Sequence, residues 1–418
     1  MTSEVVLMNR QAIALAADSA STVTYWQKGK RHIRYFKGAN KIFHLSFVFP
    51  VALMIYDSAE LENVPWETIA KSYRKSIGTK SLDYLGNYGD DLLKFIEDNI
   101  DLYPLNFREN HFINKIKISL DRLIVILNDV INRNKLKVIE LFEAIYKQTQ
   151  ADQFIGNVTQ DQFYDIIHNN EKSLNELFQQ IQMPISLNEI SKIKLIELAV
   201  LMSLKKETST FSTSCLVVTG FGAKDYFPIL KHYTCYGFIN KKLIYKIEEE
   251  RTINSDNPSE IIPLAQTTMA ETFMSGISKA TFIHIGKVAN NIFDKEVLCY
   301  IGKTDTLSSN EVTTNDIKTK FIKEFADELL KEFKRSHIDP MKIVVSILPI
   351  AELAELAEML VRMESLKERV TRNSEEVSGP IDVAVISKGD GFIWIKRKHY
   401  FDPNLNPRFF KKRGSNAE

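Results

Sequence analysis

Thr2 is the residue with the clearest chemistry. A methionine is normally trimmed when the next residue is as small as threonine, and removal of Met1 would leave Thr2 with a free α-amine beside its own hydroxyl. Nucleophile and general base then sit on one residue, which is the logic of a terminal-threonine hydrolase. Asp18 follows sixteen positions later, at the end of the apolar run Ala12 to Ala17. Other common sites are absent from the pattern. The eight histidines are scattered, and Cys215, Cys235 and Cys299 have no zinc spacing. Gly220-Phe221-Gly222 lacks the third glycine of a dinucleotide loop, and no Gly-x-Ser-x-Gly elbow occurs. The expectation is therefore a chemistry with no metal and no cofactor.

The elements that must position these residues begin as strands. Glu4 to Met8 and Ala12 to Ala17 flank the polar turn Asn9-Arg10-Gln11, a hairpin pattern. Lys41 to Leu45 and Phe47 to Tyr56 read as two strands with a corner at Pro50. From Pro65 the apolar period becomes helical, with Gly78 placed to stop the first helix and Ser186-Leu187-Asn188-Glu189 forming a capping box. Strand patterns return at Cys215 to Phe221, His232 to Phe238, Thr281 to Ile285 and Lys342 to Ile347. Helical patterns cover Thr267 to Ile277, Ile317 to Arg335 and Ile350 to Val370. Asp382 to Ser387 and Gly391 to Arg397 close the chain as a hairpin around Lys388-Gly389-Asp390. Strands, then helices, then strands again describe an α+β protein with antiparallel sheets, not a doubly wound α/β fold.

The residues at both ends resemble a known family. Thr2, the run Ala12-Ile13-Ala14-Leu15-Ala16-Ala17-Asp18-Ser19-Ala20-Ser21-Thr22 and the segment Asn40-Lys41-Ile42-Phe43 look like the start of a proteasome β-type subunit, an N-terminal nucleophile (Ntn) hydrolase. Ser378-Gly379-Pro380-Ile381-Asp382 onward is similar to that fold's small-residue turn and final hairpin. The resemblance implies a four-layer αββα sandwich, with residues 1–60 and 211–402 as its halves, 61–210 as a large all-helical insertion and 403–418 as a mobile basic tail.

It also implies roles. Thr2 becomes the nucleophile and Asp18 the buried carboxylate beneath it. The family's third-strand lysine falls, by counting back from Asn40, on Arg34, whose guanidinium stays charged and supplies field and hydrogen bonds rather than a mobile proton. A family glycine whose amide donates to the oxyanion becomes Asp57, followed by Ser58. A carboxylate at about 6 Å and an effective dielectric of about 20 would oppose the oxyanion by roughly 3 kcal/mol, on the order of a hundredfold in rate. A family Asp-x-x-Ser becomes Glu375-x-x-Ser378, and the turn before the third helix becomes Gln266-Thr267-Thr268.

Composition bounds the rest. The chain has 418 residues, is 44% hydrophobic and carries 54 basic against 53 acidic side chains, a net charge of +1. It can bury a sizeable core, and its even charge balance argues against nucleic acid as a partner. No apolar run approaches the roughly 20 residues of a membrane span, no leader pattern opens the chain, and the few cysteines fit a reducing cytoplasm. Two functions stay open at this point. One is an amidohydrolase acting on a peptide or other amide. The other is an inactive relative that serves as an assembly or protein-binding module. Either is expected to form a homo-oligomer or bind a protein partner through the helical insertion.

Overall fold

The computed structural model describes residues 2–28, 30–134, 138–180, 190–205, 213–297, 314–371 and 377–408. The strands are β1 (Ser3–Asn9), β2 (Ala12–Ala17), β3 (Ser21–Gln27), β4 (Lys30–Phe36), β5 (Ile42–His44), β6 (Val51–Tyr56), β7 (Glu60–Leu61), β8 (Val64–Pro65), β9 (Ser214–Gly220), β10 (Ile229–Ile239), β11 (Lys242–Thr252), β12 (Ser259–Ala265), β13 (Asp382–Ser387) and β14 (Gly391–Lys396). The helices are α1 (Trp66–Ile77), α2 (Leu85–Asp98), α3 (Leu105–Asn134), α4 (Val138–Ala151), α5 (Gln160–Asn169), α6 (Glu171–Gln180), α7 (Lys192–Lys205), α8 (Thr268–Ser275), α9 (Lys279–Ile292), α10 (Thr314–Phe333), α11 (Asp339–Ile347) and α12 (Ile350–Thr371). The fold is mixed α+β with antiparallel sheets. Among the described residues no helix is long and apolar enough to cross a membrane. Two compact units divide the chain: Met1–Asn40 with Thr252–Glu418, and Lys41–Arg251.

The first unit is built on a five-stranded sheet of order β12-β1-β2-β13-β14. Its three inner strands β1, β2 and β13 bury every residue. On one face the alternate positions Val5, Leu7, Ala12, Ala14 and Ala16 pack with Leu353, Ala357, Leu360 and Val361 of α12. The three alanines remove side-chain volume where the helix lies, and the helical residues recur at the spacing of a single face. Chain reversal between β1 and β2 rests on Asn9, whose Oδ1 accepts the amides of Gln11 (2.9 Å) and Ala12 (3.1 Å). β3 and β4 form a separate two-stranded ribbon.

The second unit carries a sheet of order β11-β10-β9-β6-β5. Trp66, Ile69 and Tyr73 of α1, with Leu85, Tyr88 and Leu92 of α2, share a core with Leu53, Leu216 and Val218. A second core gathers Leu120, Leu123, Leu195, Leu198 and Ala199 with Tyr236 and Ile239 of β10 and Ile244 of β11. The helices of 61–210 thus share their apolar interior with the strands that follow them. Gly78 ends α1 at φ +54, as the sequence requires of a helix stop.

Several expectations are corrected. Thr281 to Ile285 and Lys342 to Ile347, read as strands, lie in α9 and α11. Ser278 caps α9 by accepting the Thr281 amide at 3.1 Å, and Pro340 sits in the first turn of α11. Six strands, β3, β4, β7, β8, β11 and β12, were not read from the sequence. The capping box at Ser186 and Glu189 lies outside the described residues, as does the basic cluster Lys411-Lys412-Arg413.

Candidate active site

Register brings Thr2 and Asp18 together. In the β1–β2 hairpin Glu4 faces Ala17, and one step outward the Asp18 amide donates to the Ser3 carbonyl at 3.2 Å. Because strand side chains alternate, a slip of one residue would send Asp18 to the opposite face. On the other side of β1 the Gln266 amide donates to the Thr2 carbonyl at 2.8 Å, extending the β1–β12 ladder by one residue. Thr2 is therefore held from both flanks and is 7% exposed.

The Asp18 carboxylate, which is 1% exposed, accepts through both oxygens. Oδ1 accepts from Thr2 Oγ1 at 2.6 Å and from the Ser3 amide at 3.0 Å. Oδ2 accepts from the Ala20 amide at 3.0 Å and from the Ser378 amide at 3.1 Å. Such bonds offset the cost of burying a carboxylate. The Ser378 turn is locked against the end of β2: its carbonyl accepts the Ser19 amide at 3.3 Å, and Ser19 Oγ donates to the Pro380 carbonyl. Gly379 stands at φ +85, where a Cβ would come within 3.1 Å of the Lys37 Cβ, so both conformation and space call for glycine.

Glu4 is the residue that sequence reasoning missed. It is fully buried on the Thr2 side of β1, with Oε1 3.4 Å from Thr2 Oγ1. A hydroxyl has one proton, and the 2.6 Å partner Asp18 takes it. The available signal was an acidic residue inside the apolar strand Val5-Val6-Leu7-Met8, two positions from Thr2. The turn Gln266-Thr267-Thr268 leads into α8, whose Met269 amide donates at 2.6 Å to the buried Glu364 of α12.

Arg34 departs from expectation. It is exposed on β4, opposite Val23, with its guanidinium 5.5 Å over the Tyr25 ring, and it forms no ion pair with Asp18. The segment between Asp18 and Asn40 runs out and back as a ribbon, so a count along the chain does not measure distance from the site. The buried basic residue that follows it is Lys41, which opens the second unit.

Asp57 and Ser58 belong to the second unit and follow β6. Asp57 has φ +65, a conformation suited to glycine. Its Oδ2 accepts from Cys215 Sγ at 3.3 Å and from Thr213 Oγ1 at 3.4 Å. Burial first, and the Asp57 charge second, push the Cys215 thiol up to about 12. The Ser58 amide, the second of the two oxyanion donors expected at Asp57 or Ser58, donates to the Tyr56 carbonyl at 3.0 Å within the turn. Glu375 lies outside the described residues.

Of the expected site residues, the structure brings together Thr2, Asp18 and Ser378, the last through its backbone amide. Among the described residues no group of three His, Cys, Asp or Glu is arranged to hold a metal ion. No protein-family model matches the chain, and no curated protein matches it in sequence.

Proposed function

We propose that the protein is a proteasome-like Ntn amidohydrolase, a four-layer αββα sandwich with a helical insertion, which cleaves a peptide or other amide bond once Met1 has been removed. The observation that carries the reading is the 2.6 Å hydrogen bond from Thr2 Oγ1 to the buried Asp18. Thr2 Oγ attacks the amide carbonyl, and its proton passes to the Thr2 α-amine. The tetrahedral intermediate collapses as that proton is delivered to the leaving nitrogen, giving an ester on Thr2. Water then hydrolyses the ester with the same amine as base. Asp18 fixes the hydroxyl and the Ser3 amide in one geometry, which is the part of catalysis that positioning supplies.

A second reading has its own support. Arg34 stands away from Asp18, and the Ser58 amide is consumed by its turn. An inactive protein that keeps the fold for assembly, forming oligomers or binding partners through the helices of 61–210, would need neither. One experiment separates the two. Intact mass of the protein from its native host shows whether Met1 is retained, and a peptide epoxyketone should then add the mass of one adduct at Thr2 and none in Thr2→Ala. Retained Met1, or labelling that persists in Thr2→Ala, removes the hydrolase reading.

A further inference from the structure

The β3–β4 ribbon has a composition unlike the molecule as a whole. Between Ser19 and Asn40 stand Lys28, Lys30, Arg31, Arg34 and Lys37 with no Asp or Glu, although the whole chain is nearly neutral. Among the described residues Lys28, Lys30 and Arg34 meet no carboxylate, and all three are exposed. The three exposed cations Lys28, Lys30 and Arg34 on one short hairpin repel one another unless an outside anion neutralises them.

The same ribbon carries a stacked set of planar groups. Cross-strand register puts Tyr25 opposite His32 and Val23 opposite Arg34, so the Tyr25, His32 and Arg34 side chains share one face. The Tyr25 and His32 rings lie 5.4 Å apart and 18° from parallel, and the Arg34 guanidinium sits 5.5 Å over Tyr25. Phe36 is on that face too and is 52% exposed. The ribbon pairs with no other strand, and its large side chains Val23, Ile33, Tyr35 and Phe36 contribute little to either core. Exposure of this kind on a structure that buries so little points to a partner.

We propose that the β3–β4 ribbon binds single-stranded nucleic acid, with Lys28, Lys30 and Arg34 on the phosphates and the Tyr25–His32 stack as a platform for a base. Flat π faces flanked by cations match what an unpaired strand presents, one charge per nucleotide and one ring per charge. An acidic peptide offers the charge without the rings. A bilayer favours aromatic side chains that project freely, whereas Tyr25 is half-buried between His32 and Arg34.

The test uses the full chain and labelled oligothymidylate and oligouridylate of about 20 nucleotides, read by fluorescence anisotropy from about 50 mM salt upward. At least one oligomer should bind saturably, with log K falling as log salt rises. Lys28→Glu with Lys30→Glu should weaken it tenfold or more and flatten the salt slope by about 1.4. Tyr25→Ala should weaken it about tenfold with the slope retained, and Tyr25→Phe should bind as the parent does. Any of four results overturns the proposal: no saturable binding of either oligomer, Tyr25→Ala equal to the parent, tighter binding of a duplex, or retention by phosphatidylserine vesicles or polyglutamate in place of the oligomers.

Discussion

Asp18 takes a carboxylate into a place closed to water and answers it with a hydroxyl and three backbone amides. The converse follows for a variant that removes it. In Asp18→Ala those donors lose their acceptor, which should cost about 3 kcal/mol or more in chemical denaturation. Arg34→Met should change stability by less than about 0.5 kcal/mol, as surface substitutions do. The double variant should show the sum of the two losses, because residues without shared partners are additive. A coupling above about 1 kcal/mol would put the guanidinium back beneath Asp18. The pairing of Thr2 with Asp18 was expected from the family spacing, and the structure delivers it through antiparallel register, a local property of two short strands and a turn. The role of Arg34 was not legible, since its position depended on the path of the residues between Asp18 and Asn40.

Elements differ in how openly their sequences declare them. β12 contains Pro263, which argues against a strand, yet β12 is the edge of its sheet and the missing amide costs no ladder bond there. β11 is also an edge, and its Lys246 to Arg251 stretch reads as a solvated loop. The helical runs at Thr281 and Lys342 are short and β-branched, and a stretch of five or six such residues fits either element. Helix α3 carries a feature with a measurable consequence. Its Lys115 is buried and donates to the Tyr236 carbonyl of β10, while burial draws its pKa down from 10.5 to about 8, partly opposed by the charge of Glu62. The unfolded chain then holds that proton more tightly, so stability must rise with pH between about 8 and 10.5 and be reduced below 8. From pH 7.5 to 9.5 the parent should gain about 2 kcal/mol relative to Lys115→Met, read from urea midpoints. Parallel pH profiles for the two proteins would contradict the assignment.

At the scale of the whole molecule the order β12-β1-β2-β13-β14 joins distant parts of the chain: two inner strands come from the first 40 residues, and the strands around them come after residue 251. A fragment beginning at Thr252 lacks the centre of its own sheet. It should show no cooperative unfolding transition by circular dichroism, and a sharp transition would mean that α12 and the outer strands suffice. The same arrangement sets a schedule on the ribosome. β1 and β2 emerge first and have neither neighbour until all of 41–251 has been made, which at roughly 5 to 20 residues per second takes on the order of ten to forty seconds. Through that interval the amino terminus hangs outside any finished sheet, within reach of the peptidase that would have to clip Met1 before Thr2 is enclosed. For the terminal-threonine hydrolase proposed above, the interleaved sheet would hold that window open until β12 and β13 have been made.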